Sequence, residues 1–227
     1  MKIKGLFTIL LVSIISCTEN NKSAEQSADT AKTNTKDTSV TNEAVKTIVF
    51  FGNSLTAGYG LDPSEAFPAL IQQKIDSMRL PYKVVNAGVS GETSSGGNAR
   101  VDWILRQPPA VFVLELGAND GLRGIPLTET KKNLQSIIDK VKAKNPNVTI
   151  ILAGMMMPPN MGEQYTSQFR AIYPDLAKEN NLPLIPFLLQ GVGGEAHLNQ
   201  QDGIHPTAEG HEIVAENVWA ILKNNLP

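Results

Sequence analysis

The run TIVFFG, residues 47–52, is a stretch of β-branched and aromatic side chains that ends at a glycine, and Asn53, Ser54 and Leu55 follow it directly. A continuous apolar run is typical of a strand that is buried on both faces, as strands of parallel sheets are. The run therefore predicts a strand inside a parallel sheet, with a serine in the turn at its carboxyl end.

Strand-like and helical segments alternate along the rest of the chain. Such alternation indicates a parallel sheet with helices on both faces, so we predict an α/β domain of three layers, α/β/α, over residues 46–227. The strands are predicted at Thr47–Gly52, Lys83–Asn86, Val111–Leu116, Val148–Ala153 and Leu184–Phe187, and the helices at Pro63–Arg79, Thr93–Arg106, Thr128–Lys144, Gln164–Asn180 and Pro206–Asn224.

The amino-terminal residues have the features of an export signal. Lys2 and Lys4 precede the apolar stretch Leu6–Ile15, which at about ten residues is shorter than the ~20 that a membrane-spanning helix needs. The stretch ends Ile-Ile-Ser-Cys at residues 14–17, which resembles the lipobox of bacterial lipoproteins. The resemblance implies that Cys17 is lipidated and becomes the mature amino terminus. An ordinary signal peptide is the alternative.

A polar segment separates this signal from the predicted domain. Residues 18–45 contain almost no large apolar side chain, and such a segment buries too little surface to offset the entropy of ordering it. We therefore predict three parts: a lipoprotein signal peptide over residues 1–17, a disordered polar tether over 18–45, and a folded domain over 46–227. The protein would then be an exported bacterial lipoprotein, anchored at the periplasmic face of a membrane or at the cell surface.

The composition argues against two classes of protein. The 227 residues carry a formal net charge of −2, and 6% of them are aromatic, so the chain lacks the basic face and the stacking platforms that are typical of nucleic-acid binders. Its single cysteine, Cys17, lies outside the predicted domain, which argues against a cysteine nucleophile. We expect no nucleic-acid partner and a monomeric protein.

Three residues supply the parts of a serine hydrolase. Ser54 follows the first strand, and Asp202 and His205 lie in the run DGIHP near the end of the chain. A serine hydroxyl needs a base to take its proton, and a carboxylate three residues before a histidine can hold the ring by its Nδ1–H. The alternative is a loop histidine beside a helix-capping aspartate. Since His197 and His211 lack suitable neighbours for a metal site, we expect no metal and no cofactor.

Candidate donors for the negative oxygen of a tetrahedral intermediate lie at the ends of the first three predicted strands. They are the backbone N–H groups of Ser54 and Gly88 and the side-chain amide of Asn119. Ligands of doubly wound sheets bind outside the carboxyl ends of the strands, where these residues are expected to meet. Each of them, taken alone, also fits a turn or a helix cap.

Four blocks of sequence resemble the SGNH (GDSL-type) hydrolase superfamily, and most closely its thioesterase, lysophospholipase and arylesterase branch. The blocks are FFGNSLTAGYGL, NAGVSGETS, LELGANDGLRG and DGIHP, in that order. The resemblance implies a flavodoxin-like five-stranded parallel sheet. It also implies Ser54 as nucleophile, His205 as base, Asp202 as the residue that orients the base, and an oxyanion hole formed by Ser54, Gly88 and Asn119.

Asn53 departs from the pattern of this superfamily, because the GDSL motif has aspartate at the corresponding position. That aspartate carries no proton in the implied mechanism, so we expect activity to survive the change. The hydrogen bonding around the nucleophile turn is the feature that we expect to differ.

The expected reaction is hydrolysis of carboxylic esters or thioesters through an acyl-serine intermediate, with no cofactor. Lysophospholipids suit an enzyme that is tethered at a membrane. The alternatives are a carbohydrate O-acetyl esterase and, from another class, a non-catalytic binding lipoprotein on the same scaffold. Apolar residues after the third and fourth strands are candidates for an acyl groove, although core packing explains the methionines equally well. These candidates are Leu122, Ile125, Met155, Met156 and Pro158.

Overall fold

The computed structural model describes residues 44–227. Within this range lies a sheet of five parallel strands in the order β2-β1-β3-β4-β5. The chain moves from β1 outward to β2, returns past β1 and then continues in one direction, which is the flavodoxin-like order. The predicted fold class is therefore confirmed. The strands are β1 (Lys46–Gly52), β2 (Tyr82–Gly88), β3 (Val111–Glu115), β4 (Thr149–Ala153) and β5 (Leu184–Ile185).

The helices form two groups with the sheet between them. Helix α2 packs against α7, while α3 packs against α5 and α5 packs against α6. Right-handed crossovers put the helix that leads to β2 on one face and the helices of the later crossovers on the other. The helices are α1 (Ser54–Ala57), α2 (Phe67–Ser77), α3 (Ser94–Ile104), α4 (Ala118–Leu122), α5 (Leu127–Lys144), α6 (Glu163–Asn180) and α7 (Ala208–Leu222).

The predicted signal peptide, Cys17 and most of the predicted tether lie outside the described residues. The division into three parts therefore stays a prediction. Among the helices of residues 44–227, none combines the length and the apolar character that a bilayer-spanning segment needs.

The two central strands are buried on both faces, as the apolar run of β1 predicts. Residues 48–52 of β1 and all residues of β3 are buried, and Phe51 packs against Phe112 with ring centroids 5.3 Å apart. Burial of one such side chain stabilises the fold by roughly 1.5–3 kcal/mol. Because β1 and β3 are adjacent and densely packed, the turns that follow their carboxyl ends are held close together.

Among the element boundaries that differ from the prediction, two have clear local reasons. Helix α2 begins at Phe67 rather than at Pro63, because the intervening residues form a turn in which the Asp62 carboxylate accepts hydrogen bonds from the backbone and hydroxyl of Ser64. Strand β5 has only two residues, because Pro186 follows and has no N–H to donate to the sheet.

Candidate active site

The candidate nucleophile, Ser54, is the first residue of α1 and lies directly after β1. Asn53 is the N-cap of this helix, and its Oδ1 accepts a hydrogen bond from the Leu55 N–H at 2.9 Å. A serine that follows a strand often serves as the helix cap itself, but here Asn53 has that role. The Ser54 hydroxyl is therefore not used as a cap, and the residue borders a cavity at the carboxyl end of the sheet.

The imidazole of His205 lies between the Ser54 hydroxyl and the Asp202 carboxylate. Its Nε2 is 2.8 Å from Ser54 Oγ, and its Nδ1 is 2.7 Å from Asp202 Oδ2. Because a carboxylate only accepts hydrogen bonds, Nδ1 carries the proton and Nε2 is left to accept the proton of the serine hydroxyl. The structure thus brings together the three residues that the sequence predicts, although 151 positions separate Ser54 from His205.

The Asp202 carboxylate is held by the turn that leads to His205. Its Oδ1 accepts hydrogen bonds from the backbone N–H groups of Ile204 at 3.0 Å and His205 at 3.1 Å. The hydrogen bond from the His205 side chain, supported by these two, lowers the pKa of Asp202 to about 2. Asp202 is therefore ionised throughout the neutral range, as the orienting partner of a histidine must be.

Tyr59 and Gln200 fix the histidine loop against the nucleophile turn. The Gln200 side chain donates to the backbone oxygen of Tyr59 at 2.7 Å, and its backbone N–H donates to the His205 oxygen at 2.7 Å. The Tyr59 ring lies against the His205 ring, with centroids 4.7 Å apart. Sequence reasoning missed both residues: Tyr59 lies within the first of the four blocks but was given no role there, Gln200 lies outside them, and their contacts join distant parts of the chain.

Two of the three predicted oxyanion donors border the same cavity, namely Ser54 and Asn119. The Ser54 N–H is in the first turn of α1, where a helix leaves its amides without internal partners. The Asn119 amide nitrogen donates to the backbone oxygen of Glu92 at 3.0 Å. Since an amide has two N–H groups, this bond orients the side chain and leaves one donor free.

The structure does not bring the third predicted donor, Gly88, to the cavity. Strand β2 runs on through Gly88, which pairs with Gly52, and the Gly88 N–H donates to Asn86 Oδ1 at 3.0 Å. A side chain at position 88 would collide with the backbone of Ala57 and Asn53. Gly88 is thus a glycine because β2 approaches α1 closely, and the prediction of Gly88 as an oxyanion donor is corrected.

Gly91 occupies the place that was predicted for Gly88. It borders the cavity in the loop after β2 and has a φ of +79°, which favours glycine. Among residues 44–227, no group accepts a hydrogen bond from its N–H. The signal that distinguishes Gly91 from Gly88 is the end of β2, because only a glycine beyond the strand can turn its amide toward a ligand.

Helix α4 clamps the loop that carries Gly91. The Arg123 guanidinium donates to the Gly91 backbone oxygen at 3.0 Å. The fully buried carboxylate of Asp120 accepts hydrogen bonds from the backbone N–H, at 2.7 Å, and the hydroxyl of Ser94. Because Asn119 lies on the same short helix, these bonds fix its amide relative to Gly91.

The cavity has a volume of about 480 Å³ and is mostly apolar. Of the residues predicted for substrate binding, four line it and Ile125 does not, because the chain turns back after α4 and the Ile125 N–H bonds to the Asp120 oxygen at 3.0 Å. Met155 also belongs to the hydrophobic core. The four predicted lining residues are Leu122, Met155, Met156 and Pro158, and those that sequence reasoning missed include Tyr59, Phe187, Leu189 and Ile204.

The buried carboxylate of Glu115 contacts the nucleophile turn. It accepts hydrogen bonds from the Asn53 side-chain amide at 2.7 Å, the Asn53 backbone N–H at 3.0 Å and the Thr56 hydroxyl at 2.8 Å. Burial raises the pKa of Glu115 to about 7, while these hydrogen bonds oppose the rise. The departure at position 53 from the GDSL motif is thus accommodated by a hydrogen bond that an amide can donate and an ionised aspartate cannot.

The residues of the described part offer no metal site. Within residues 44–227, no three histidine, cysteine, aspartate or glutamate side chains come together as ligands. His211 is buried in α7, where its Nδ1 accepts a hydrogen bond from the Phe67 N–H at 3.1 Å.

The chain is similar to known ester hydrolases. A model of the GDSL-like lipase/acylhydrolase family matches residues 50–213. The esterase TesA of Pseudomonas aeruginosa is 41% identical over 181 residues, which cover 79% of this chain and 89% of that protein. Thioesterase 1/protease 1/lysophospholipase L1 of Escherichia coli is 41% identical over 174 residues, which cover 76% of this chain and 81% of that protein. The crystal structure of the psychrotrophic esterase EstA from Pseudoalteromonas sp. aligns with a TM-score of 0.74 and 32% identity, covering 79% of this chain and 97% of EstA.

Proposed function

Because the chain belongs to the GDSL-like lipase/acylhydrolase family, it is a serine ester hydrolase, and we propose that Ser54, His205 and Asp202 carry out its reaction. The observation that supports this assignment most directly is the distance of 2.8 Å between His205 Nε2 and Ser54 Oγ. A base at hydrogen-bonding distance from a hydroxyl, with a carboxylate behind it, is the arrangement that activates a serine.

Acyl transfer then proceeds in two halves. His205 Nε2 takes the hydroxyl proton while Ser54 Oγ attacks the carbonyl carbon of the ester. The bond between that carbon and the leaving oxygen breaks, and His205 gives its proton to the leaving oxygen. Water then attacks the acyl-serine with His205 again as the base, which releases the acid and restores the hydroxyl. Asp202 stays ionised and holds the ring throughout.

The negative oxygen of each tetrahedral intermediate is stabilised by three donors in this proposal. They are the backbone N–H groups of Ser54 and Gly91 and the free N–H of the Asn119 amide. Loss of one such donor typically costs about 3 kcal/mol in the transition state. The bonds from α4 to the Gly91 loop keep the donors in place before the charge develops, which is the condition for such donors to be effective.

The acyl group of the proposed substrate lies along the apolar part of the cavity. Leu122 and Met156 line this part, and methionine side chains adapt to chains of different shape. The proposed substrates are acyl esters and thioesters, lysophospholipids among them. The names of two related proteins, an esterase and a thioesterase/lysophospholipase, agree with these proposed substrates.

A rate series tests the proposed substrate class. We expect kcat/KM for p-nitrophenyl esters to rise from acetyl toward longer acyl chains, by up to about fourfold per methylene while the chain still fits the cavity. A lysophospholipid is expected to be hydrolysed and an acetylated sugar to be a poor substrate. If the acetylated sugar is the best substrate of the series, the enzyme is a carbohydrate O-acetyl esterase instead.

The proposed location is a membrane surface, with the protein attached through a lipid on Cys17. The support for it is the order of a basic segment, a short apolar stretch and Ile-Ile-Ser-Cys at residues 14–17. Several acyl chains on one residue bind firmly, at about 0.8 kcal/mol per buried methylene. We expect Cys17→Ala to move the protein from the membrane fraction to the soluble fraction with unchanged turnover of a soluble ester. If the variant remains in the membrane fraction, the lipid anchor is not on Cys17.

A further inference from the structure

The amide of Asn53 has a donor end and an acceptor end, and Glu115 decides which end faces the nucleophile. The donor end bonds to Glu115, so the oxygen Oδ1 faces α1, where it accepts from the Leu55 N–H at 2.9 Å and lies 3.5 Å from Ser54 Oγ. If the amide turned over, Nδ2 would face the Leu55 N–H, donor against donor, and its oxygen would face a carboxylate.

The surroundings of Glu115 are suited to an acceptor. The residue is 1% exposed and ends β3 opposite Gly52 of β1. Its oxygens accept three hydrogen bonds, from the Asn53 side-chain amide, the Asn53 backbone N–H and the Thr56 hydroxyl. The carboxylate of Glu115 therefore faces only hydrogen-bond donors in these contacts. The Tyr173 hydroxyl, whose pKa is raised by burial and by the charges of Glu115 and Asp120, is the titratable group nearby on the facing helix α6.

We propose that Asn53 and Glu115 form a matched amide–carboxylate pair that positions the nucleophile turn. With aspartate at position 53, two carboxyl groups would have to share a proton to make this contact, whereas the asparagine amide donates the hydrogen bond itself. Both are positioning residues in this account, because they act on Ser54 through the turn and not on the substrate. The proposal rests on Ser54 being the nucleophile, as proposed above.

Asn53→Asp tests the second half of the proposal. The new carboxylate still caps α1, but one of its oxygens replaces Nδ2 at 2.7 Å from Glu115 Oε1, and two carboxyl groups at that distance share one proton. The change removes the hydrogen bond from the Asn53 amide, which lowers the pKa of Glu115, and adds a second carboxylate charge beside it. The pair therefore keeps its shared proton to a higher pH than Glu115 alone would, and loses the proton only above that pH. We expect kcat near that of the wild type at pH 8, which lies above the pKa of about 7 of Glu115 in the wild type, and a fall of about tenfold or more between pH 8 and 10 that the wild type does not show.

Glu115→Gln tests the first half. The side-chain NH₂ group of the introduced glutamine must replace one of the two Glu115 oxygens. It then faces either the NH₂ group of the Asn53 side chain or the Asn53 backbone N–H and the Thr56 hydroxyl. Either orientation places two hydrogen-bond donors against each other. We expect kcat to fall by about tenfold or more at pH 8, where the Glu115 carboxylate of the wild type is ionised, with KM little changed.

The double variant Asn53→Asp, Glu115→Gln exchanges the acid and the amide within the pair. The amide introduced at position 115 donates to the carboxylate introduced at position 53, and the oxygen of that amide accepts from the backbone N–H and from Thr56. We therefore expect kcat within about threefold of the wild type, no alkaline fall and a recovered melting temperature. Rescue of this kind distinguishes a matched pair from two residues that are needed only for folding.

A pair that does not border the cavity provides the control. The Gln135 side chain donates to the Asp139 carboxylate at 2.7 Å on the surface of α5, and we expect Gln135→Glu to leave kcat and its pH profile unchanged. The proposal is overturned if the double variant loses as much as the product of the two single losses, if it fails to fold, or if Asn53→Asp matches the wild type up to pH 10. These results concern the pair alone, whereas an active Ser54→Ala variant would overturn the proposed function.

Discussion

His205 and His211 lie six residues apart in the sequence and hold opposite tautomers. His205 lies at the cavity, where its Nδ1 donates to the Asp202 carboxylate and its Nε2 accepts from Ser54. His211 lies in the core at 1% exposure, where its Nδ1 accepts from the Phe67 N–H. Burial, helped by the nearby His205, lowers the pKa of His211 to about 4.

The difference shows that the partner at Nδ1 determines what a histidine can do. A carboxylate at Nδ1 orients the ring, leaves Nε2 as a base and stabilises the imidazolium that forms during catalysis. A backbone N–H at Nδ1 keeps the ring neutral and makes it a packing residue with one polar contact. The sequence shows the carboxylate three residues before His205. It does not show that His211 accepts a hydrogen bond from the backbone N–H of Phe67 in α2.

The largest expected effect comes from removing the base. His205→Ala is expected to lower kcat by about 10⁴-fold or more, because Ser54 then has no group to take its proton. His211→Asn is expected to keep kcat within about twofold at pH 8, since Asn Oδ1 can accept from the Phe67 N–H in place of Nδ1. Steady-state hydrolysis of a soluble p-nitrophenyl ester measures both. Equal losses in the two variants would remove the distinction between the two histidines.

The next largest effect comes from changing the partner at Nδ1 of the base. Asp202→Asn places an amide beside His205, which can donate to Nδ1 and so favour the wrong tautomer. We expect kcat to fall by about 10³–10⁴-fold with KM little changed. The thermal melting temperature at pH 8 should stay close to that of the wild type, because the loop is also held by Gln200. If kcat falls by less than tenfold, Asp202 does not orient the base.

His211 provides the expected pH dependence of stability. Its pKa is lower in the folded protein than in the unfolded chain, so between pH 6.5 and pH 4 the unfolded chain binds more protons than the native state. The contribution of His211 to the free energy of unfolding therefore falls by about 3 kcal/mol as the pH is lowered through this window. Glu115, whose pKa burial raises to about 7, contributes in the opposite direction. Denaturant unfolding at several pH values should therefore show that the stability of the wild type relative to His211→Asn falls as the pH is lowered from 6.5 to 4. A slope equal to that of the wild type would assign the acid sensitivity to other groups.

The smallest effect concerns the ring that packs on the base. Tyr59→Ala removes the contact with His205 and keeps the backbone oxygen that binds Gln200. We expect kcat to fall by about three- to tenfold, because the imidazole gains freedom to leave its productive orientation. Tyr59→Phe keeps the ring and is expected to match the wild type. If both variants match the wild type, the stacking contact does not position His205.

For identifiable reasons, the sequence predicts the fold class and singles out three residues that the structure brings into contact. The apolar runs of β1 and β3 are long enough to show burial on both faces, and Ser54, Asp202 and His205 lie in short motifs whose internal spacing carries the chemistry. Helices α1 and α4 have four and five residues, which is too short for a periodic pattern, so neither was predicted.

The misplaced residues depend on contacts that sequence patterns do not contain. Gly88 and Gly91 differ only by which of them lies beyond the end of β2, and strand ends are the least certain part of any sequence-based prediction. Ile125 was expected at the cavity because it follows the third strand and Asn119, but the turn after α4 takes it away from the cavity. Glu115 resembles an ordinary end of a strand until the structure shows the Asn53 amide against it.

The most direct test of the account is covalent labelling with a fluorophosphonate, followed by mass spectrometry of the labelled peptide. We expect one adduct, on Ser54, which is absent in Ser54→Ala, formed at least about a thousandfold more slowly in His205→Ala and unchanged in His211→Asn. Ser90→Ala, which removes the hydroxyl of another serine that borders the cavity, should keep the adduct. Labelling that persists in Ser54→Ala, or that proceeds equally fast without the His205 imidazole, would contradict the central claim that these two side chains act together.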